Sequence, residues 1–338
     1  MKKDYSVSLA RFIAMCFVIV CHIMQRDSIT TVFSGVRIEW ANWFNVGVQM
    51  FLFISGYLYG KRKNMQTNAF YGKAFIKIIS NYYVFVIAAS AAFYILPKTS
   101  IGISSIVKML TFSGAPVELG IGHLWYIKTI LFCYLLTPLL SCIIDASDGG
   151  KLPSFCIKSV ILIGLVQILT MLHFKNFGAS YVVCYLIGMI CGRADEKTDK
   201  FIPTVNAIAL VMCIVLLPLQ IKYSNTSAAE TPKIIRILYE TICDYGHVFL
   251  GIVLVAVARV LYKKLFNKSK YLVRILDWSD KYSYDVYLVH TIFILSPYAC
   301  AEFINNRIIS IPLALILIVP IAMILHFASN GIKRLFIK

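Results

Sequence analysis

Residues 6–24 of this 338-residue chain read SVSLARFIAMCFVIVCHIM, an apolar segment that contains Arg11 and His22. On an α-helix, eleven residues complete three turns plus about 20° and rise about 16 Å, so these two side chains would share one face. A polar group at bilayer depth is costly and usually faces a protein interior or a water-filled cavity. The pair therefore predicts an intramembrane site rather than a simple membrane anchor.

The composition of the whole chain is that of a membrane protein. Hydrophobic residues make up 59% of the sequence and charged residues 14%, whereas a soluble protein carries about 25% charged residues. The 33 Lys and Arg against 16 Asp and Glu do not indicate nucleic-acid binding, because membrane proteins concentrate basic residues in cytoplasmic loops. The ten cysteines form no CxxC pair, so we expect neither a disulfide framework nor a metal site.

Apolar windows separated by polar residues predict an all-α polytopic membrane protein, with about ten transmembrane helices in one bundle and a single domain over residues 1–338. The first window resembles a secretory signal, but the Arg inside it and the lack of a small-residue cleavage site predict that it is retained. The predicted spans are 6–24, 43–60, 74–96, 123–144, 155–174, 177–193, 201–221, 237–262, 283–300 and 308–328.

The distribution of basic residues predicts the orientation of these spans. With the N-terminus inside, 22 Lys and Arg lie on the inner side and 9 on the outer side, and Arg11 and Lys128 lie within spans. This bias predicts a multi-pass protein of the plasma (inner) membrane with both termini in the cytoplasm. Arg11 would then lie nearer the cytoplasm, and His22 would lie in the outer half of the bilayer.

Arg11 and His22 each have a structural and a functional interpretation. Arg11 either extends its charge to the inner headgroups or binds the phosphate of a ligand that enters from the cytoplasm. His22 is either a buried histidine bonded to nearby backbone, or a base or transient acyl carrier. We favour the functional interpretation for both, because the two polar groups share one face of an apolar helix.

The second span and the residues after it offer a further choice. Its segment GVQMFLFISGYL, residues 47–58, contains small residues that favour close helix packing. Basic residues follow, including Arg62, Lys73 and Lys77. This cluster either sets the topology alone or forms a basic rim for a cytoplasmic phosphate ligand.

Candidate groups on the predicted outer side include His123, Trp125 and Tyr126 at the start of the fourth span. The two aromatic residues are ordinary interfacial anchors, but with His123 beside them they suit a carbohydrate site. Asp285 and His290 in the ninth span are further polar candidates, and His173 and His326 are interpreted as interface or packing residues.

The eighth span carries a polar stripe near its outer start. Glu240, Asp244 and His247 occur at i, i+4 and i+7 and therefore share one helix face. Exposure at a helix end would explain Glu240. The deeper His247 favours a stripe that handles protons or binds an acceptor.

Four short segments occur in a set order along the chain. They are Arg11 and His22 with ten residues between them, GVQMFLFISGYL at 47–58, HLWY at 123–126 followed by Tyr134 and Pro138, and YLVH at 287–290. Together they resemble the membrane-bound acyltransferase-3 family, which includes glycan O-acetyltransferases and fucose 4-O-acetylase-like proteins. The family patterns are Arg-x10-His, GVxxFFxxSGFL and YLxH.

This resemblance implies a ten-helix domain that transfers an acyl group, usually acetyl from cytoplasmic acetyl-CoA, to a hydroxyl of an envelope polysaccharide or lipid-linked sugar. By position, His22 would be the essential catalytic histidine and Arg11 its partner towards the donor. Lys73 and Lys77 stand where the family often has arginines. Ser8 stands where the family often has an acidic residue, and lysine at 77 lacks the bidentate fork of arginine.

We therefore predict a membrane O-acyltransferase with no permanently bound cofactor, no bound metal and acyl-CoA as donor. Its partners would be the acyl-CoA, a glycan or lipid-linked sugar and membrane lipids, but no nucleic acid. The alternatives are a glycan or lipid transporter and a non-catalytic partner of an export complex. The predicted site consists of His22 and Arg11 as catalytic residues, Arg11, Arg62, Lys73 and Lys77 for the donor, and His123, Trp125, Tyr126, Glu240, Asp244 and His290 for the acceptor.

Overall fold

The computed structural model describes residues 3–33, 36–62, 67–146, 152–195, 200–223, 232–266 and 269–336. These residues are 85% helical, with almost no strand, which confirms the predicted all-α polytopic membrane fold. The helices are α1 (Tyr5–Arg26), α2 (Trp40–Phe44), α3 (Val46–Gly60), α4 (Thr67–Ile95), α5 (Ile103–Leu110), α6 (Trp125–Ala146), α7 (Leu152–His173), α8 (Ala179–Ala194), α9 (Phe201–Tyr223), α10 (Lys233–Leu261), α11 (Lys270–Ile294), α12 (Cys300–Phe303) and α13 (Arg307–Phe336).

The long helices coincide with the predicted spans, with some differences at the ends. α11 begins at Lys270, before the predicted boundary at residue 283, because its first turns are amphipathic and carry charges that end an apolar window. A short antiparallel hairpin, β1 (Thr30–Phe33) and β2 (Val36–Glu39), joins α1 to α2 and was not predicted. In the described part of the chain, six helical segments are long and apolar enough to cross a membrane: Tyr5–Arg26, Phe70–Ile95, Gly122–Asp145, Ser154–His173, Phe201–Lys222 and Arg307–Arg334.

The helices group into two units, which are described separately. Unit 1 comprises residues 1–65 and 136–276, and unit 2 comprises residues 66–135 and 277–338. The first contains α1 to α3 and α7 to α10. The second contains α4, α5, α12, α13 and most of α11.

Unit 1 is centred on α3 and α8, which run parallel with their backbones in contact. A Cβ atom at Gly56 would lie 2.0 Å from the Tyr185 carbonyl oxygen, and one at Gly188 would lie 2.2 Å from the Phe53 carbonyl oxygen. One turn further along, a Cβ atom at Gly60 or at Gly192 would lie 2.1 Å from a backbone oxygen of the opposite helix. Each helix thus contributes a GxxxG pair, the arrangement that lets membrane helices approach most closely.

Unit 2 is joined by tyrosine hydroxyl groups that donate to backbone carbonyls of other helices. Tyr82 of α4 donates to the Met109 carbonyl of α5 at 2.8 Å. Tyr284 of α11 donates to the Ile78 carbonyl of α4 at 3.1 Å. These bonds satisfy the phenol groups inside a bundle where unpaired polar atoms are costly.

Candidate functional site

Arg11 and His22 lie on one unbroken helix, α1, and both are half-buried. At 100° per residue, their common face also carries Ala14, Met15 and Val18. These three side chains are buried, at 0%, 6% and 4% exposure. The guanidinium and the imidazole therefore belong to the buried face of α1.

The start of α3 crosses α1 between the two polar residues. A Cβ atom at Gly47 would lie 2.6 Å from the Ala14 carbonyl oxygen and 2.9 Å from a methyl group of Val18. Any larger residue at position 47 would push the two helices apart. The first glycine of the 47–58 segment thus fixes the packing of α3 against the turns that separate Arg11 from His22.

The imidazole of His22 is oriented by a side chain from its own helix. His22 Nδ1 lies 3.0 Å from Gln25 Oε1, three residues later. In the tautomer in which Nδ1 carries the proton, Nδ1 donates to Gln25 and Nε2 keeps its lone pair. Gln25 was missed in the sequence reasoning, although the i, i+3 spacing signals this contact.

A cluster of charged side chains lies where α3 and α8 end; we call it the charged end of unit 1. Lys61 Nζ lies 2.7 Å from Asp195 Oδ2, and the Tyr57 hydroxyl donates to the same oxygen at 2.6 Å. Burial alone would raise the pKa of Asp195, but the hydrogen bonds from Lys61 and Tyr57 outweigh it and lower that pKa. For Lys61, burial acts in the opposite direction, and the bond to Asp195 leaves the pKa raised.

Two arginines complete the charged end. Arg193, only 3% exposed, lies with Nε 3.1 Å from Asp145 Oδ1 and donates to the Arg62 carbonyl at 3.1 Å. Arg259 donates to the Tyr57 hydroxyl at 3.1 Å. Much of the cationic charge here is thus engaged by carboxylates and by backbone and hydroxyl oxygens.

The predicted donor-binding cations are divided between the units. In unit 1, the Arg62 guanidinium is exposed and lies 4.9 Å from the centre of the Tyr59 ring. In unit 2, Lys77 is exposed on α4. The side chain of Lys73 lies outside the described residues. Their role as phosphate ligands stays a prediction.

Two segments that are far apart in sequence meet in unit 2. His123 Nδ1 lies 2.9 Å from Thr291 Oγ1, and its ring centre lies 5.1 Å from that of His290. Tyr287 donates to the His123 carbonyl at 2.5 Å and stacks edge-on with Tyr126 at 5.3 Å. The HLWY and YLVH segments therefore build one buried cluster.

The outermost member of the first segment behaves differently. Trp125 is 39% exposed, as an interfacial anchor would be. His123 and His290, by contrast, are 6% and 0% exposed. The histidines, rather than the tryptophan, lie at the centre of this cluster.

The polar stripe of α10 is only partly buried. Glu240 is exposed and lies 4.0 Å from Arg236 on the same helix. Asp244 accepts a hydrogen bond from Ser180 of α8 at 3.0 Å, and His247 is buried at 7% exposure. The stripe thus runs from the surface into the helix bundle of unit 1.

The structure also pairs two residues that the sequence left apart. His326 of α13 was expected to be an interface or packing residue, and its Nδ1 lies 2.9 Å from Asp285 Oδ2 of α11. Asn81 of α4 donates to the other oxygen of Asp285. A polar bond between distant helices leaves no periodic signal in a sequence, which explains the incomplete expectation. Within the described residues, no group of three or more His, Cys, Asp or Glu is arranged to hold a metal ion.

Comparison with known proteins identifies the family. The model of the acyltransferase domain matches residues 4–327, nearly the whole chain. Searches among curated proteins and among solved structures each found no match. The matched region includes every residue of the predicted site. The chain therefore belongs to the acyltransferase-3 family of membrane proteins.

Proposed function

We propose that this membrane acyltransferase transfers an acetyl group from acetyl-CoA to a hydroxyl of a cell-envelope or exported glycan, at the plasma membrane with both termini in the cytoplasm. The observation that carries the proposal is the buried face of α1, which holds Arg11 and His22 on one regular helix. Such a pair of polar groups on an apolar helix favours function over anchoring.

His22 is proposed as the reacting group. As a base, its Nε2 takes the proton of the acceptor hydroxyl while the oxygen attacks the thioester carbon and CoA leaves as the thiolate. As an acyl carrier, Nε2 attacks the thioester itself, CoA leaves, and the acceptor hydroxyl then displaces the imidazole. Both routes give an ester and end with the hydroxyl proton on CoA. The Nδ1 contact with Gln25 supports either route, because in the tautomer that donates from Nδ1 the lone pair is on Nε2.

Arg11 is proposed to bind the phosphates of the donor, because a guanidinium forms two parallel hydrogen bonds with a phosphate. The exposed Arg62 supports a contribution from the charged end of unit 1. Lys77 and Lys73 of α4 are proposed as further phosphate contacts. Since lysine binds phosphate as a point charge, their effect should depend on salt more than that of Arg11.

The proposed acceptor ligands are polar and aromatic side chains. The paired rings of His123 and His290, with Tyr126 beside them, suit the apolar faces and hydroxyl groups of a sugar. Trp125, Asp244 and Glu240 are more exposed and are proposed to contact the acceptor as it enters or leaves.

The test uses the purified full-length protein with labelled acetyl-CoA and candidate glycans. We expect His22→Ala to reduce acetyl transfer at least 1,000-fold, because either route loses its reacting nitrogen, with unchanged membrane yield. The matched control is His173→Ala, at the exposed end of α7, which should retain activity. Retained transfer in the His22 variant would contradict the assignment. Glycan movement without acetyl-CoA would instead favour a transporter.

A further inference from the structure

Gln49 and His247 are among the buried polar side chains of unit 1 that have an atom without a hydrogen-bond partner in the described part of the chain. Gln49 of α3 is 2% exposed and His247 of α10 is 7% exposed. The atoms concerned are Gln49 Oε1 and His247 Nε2. A buried polar group without a hydrogen-bond partner destabilises the fold unless something satisfies it. Two such groups in a membrane bundle point to a ligand that satisfies them.

The two side chains lie on neighbouring parallel helices, about one turn apart along them. α3 and α10 run parallel: a Cβ atom at Gly251 would lie 3.1 Å from Gln49 Cβ, and Arg259 bonds to Tyr57 further along. His247 precedes Gly251 by one turn, about 6 Å, on the same face. Helical side chains lean towards the N-terminus of their helix. On parallel helices both side chains lean in the same direction, so Gln49 and His247 stay about one turn apart.

The short helix α2 contacts both the turn of α1 that carries His22 and the side chain of His247. The Cys21 thiol, next to His22 in α1, donates to the Ala41 carbonyl of α2 at 3.2 Å. The ring of His247 packs edge-on against Trp43 of the same helix, with 6.3 Å between ring centres. The turn that carries His22 and the side chain of His247 thus contact two parts of one five-residue helix.

The free atoms define the chemistry of a ligand. The Asn42 backbone forms a hydrogen bond with the His247 ring, and Nε2 has no partner among the described residues. In the tautomer in which Nδ1 carries the proton, Nε2 keeps a lone pair and can only accept. Gln49 Oε1 is also an acceptor. Two acceptors attract a ligand with two donors, which excludes a carboxylate or phosphate and suits the hydroxyl groups of a sugar.

We infer that Gln49 and His247 form a subsite that binds hydroxyl groups of the acceptor at the level of His22. This inference rests on the proposed function and adds two acceptor-binding residues to it. Each hydroxyl donates one hydrogen bond, and the reacting hydroxyl remains with His22. The pair sets the position of the acceptor and takes no part in the chemistry at the thioester of acetyl-CoA.

The test separates acceptor binding from donor chemistry in the full-length protein. Hydroxylamine replaces the acceptor as a small nucleophile that needs no sugar subsite, and methyl hexopyranosides serve as acceptor probes. We expect His247→Ala and Gln49→Leu to raise the KM for the glycoside about 10-fold each, since each removes one hydrogen bond. Formation of acetohydroxamate from acetyl-CoA should stay within twofold of wild type. His22→Ala should lose both reactions.

Controls distinguish this subsite from a general effect of removing polar groups. Gln220, on α9, is another buried glutamine, and its Oε1 faces α10 near Gly246. Gln220→Leu should leave both reactions unchanged. His247→Gln, which keeps an acceptor, should recover part of the glycoside affinity. Unchanged KM in both variants would show a bridging water only, and equal loss of both reactions would show a structural role. Either result overturns the inference.

Equilibrium dialysis with a labelled methyl hexopyranoside gives the same comparison without the reaction. Weaker binding in the Gln49 and His247 variants, but not in the Gln220 variant, supports the subsite even if acetyl-CoA is not the donor. Equal binding by the wild type and by the Gln49, His247 and Gln220 variants overturns it. Failure of the subsite is thereby separated from failure of the proposed function.

Discussion

The helices within unit 1 and the helices within unit 2 are held together by different kinds of contact. In unit 1, α3 and α8 touch backbone to backbone through Gly56, Gly60, Gly188 and Gly192. In unit 2, helices are joined by polar side chains, such as Asp285 with its bonds to α4 and α13. Between membrane helices, close van der Waals packing and interhelical hydrogen bonds are two separate sources of stability. Unit 1 should therefore be sensitive to added volume, and unit 2 to the loss of one polar partner.

The largest effect is expected from breaking the Asp285–His326 pair in unit 2. Asp285→Leu leaves His326 and Asn81 without their shared partner inside the bundle, at a cost of about 3 kcal/mol. Replacing both members, as Asp285→Leu with His326→Leu, should recover more than half of that loss, because apolar pairs substitute well for buried polar ones. The measurement is the midpoint of thermal unfolding in detergent. A double variant no better than the single one would mean that Asp285 acts independently of His326.

A smaller but clear effect is expected from a single methyl group in unit 1. Gly56→Ala would place a Cβ atom 2.0 Å from the Tyr185 carbonyl oxygen, so α3 and α8 must separate, at a cost of about 2 kcal/mol. The matched control is Gly164→Ala in α7, where no atom lies within 4 Å of the added carbon. That control should be neutral or slightly stabilising. Equal unfolding midpoints for the two variants would contradict the backbone contact between α3 and α8.

The same contrast explains what the sequence could predict. The helices were predictable because each must supply enough apolar residues to span hydrocarbon, and this signal is local. The close contact at Gly47 was only suggested by its small size, since the partner, α1, is not marked in the sequence. The start of α11 was missed because its charged first turns resemble a loop.

The site was predictable to a similar extent. Arg11 and His22 were found because an eleven-residue spacing on one helix determines a shared face. The meeting of His123 with His290 depends on how α6 and α11 pack, and no periodicity encodes it. His247 was predicted only as part of the stripe on α10, and its pairing with Gln49 was missed, because a buried polar atom is recognised as unsatisfied only when its surroundings are known.

The smallest effect is expected at the charged end of unit 1, where Lys61 and Asp195 are partly exposed. The pKa of Asp195 is lower in the folded protein than its ordinary value of 3.8, so its contribution is present above that pH and is lost as the pH falls through the folded pKa. The pKa of Lys61 is raised above 10.5, so its contribution is present below that pH and is lost as the pH rises through the folded pKa.

Asp195→Asn should therefore lower the free energy of unfolding by less than about 1 kcal/mol at pH 7, because solvent screens the pair. The difference from wild type should shrink below about pH 4, where the carboxylate is protonated in the unfolded chain. Unfolding midpoints across this pH range, with and without 1 M salt, measure it. A loss at pH 7 as large as that of Gly56→Ala would mean that charge, rather than helix contact, holds the ends of α3 and α8 together. Solvent screening and side-chain entropy reduce the stabilisation from the Lys61–Asp195 pair. Neither reduces the clash between a new methyl carbon at Gly56 and a carbonyl oxygen 2.0 Å away.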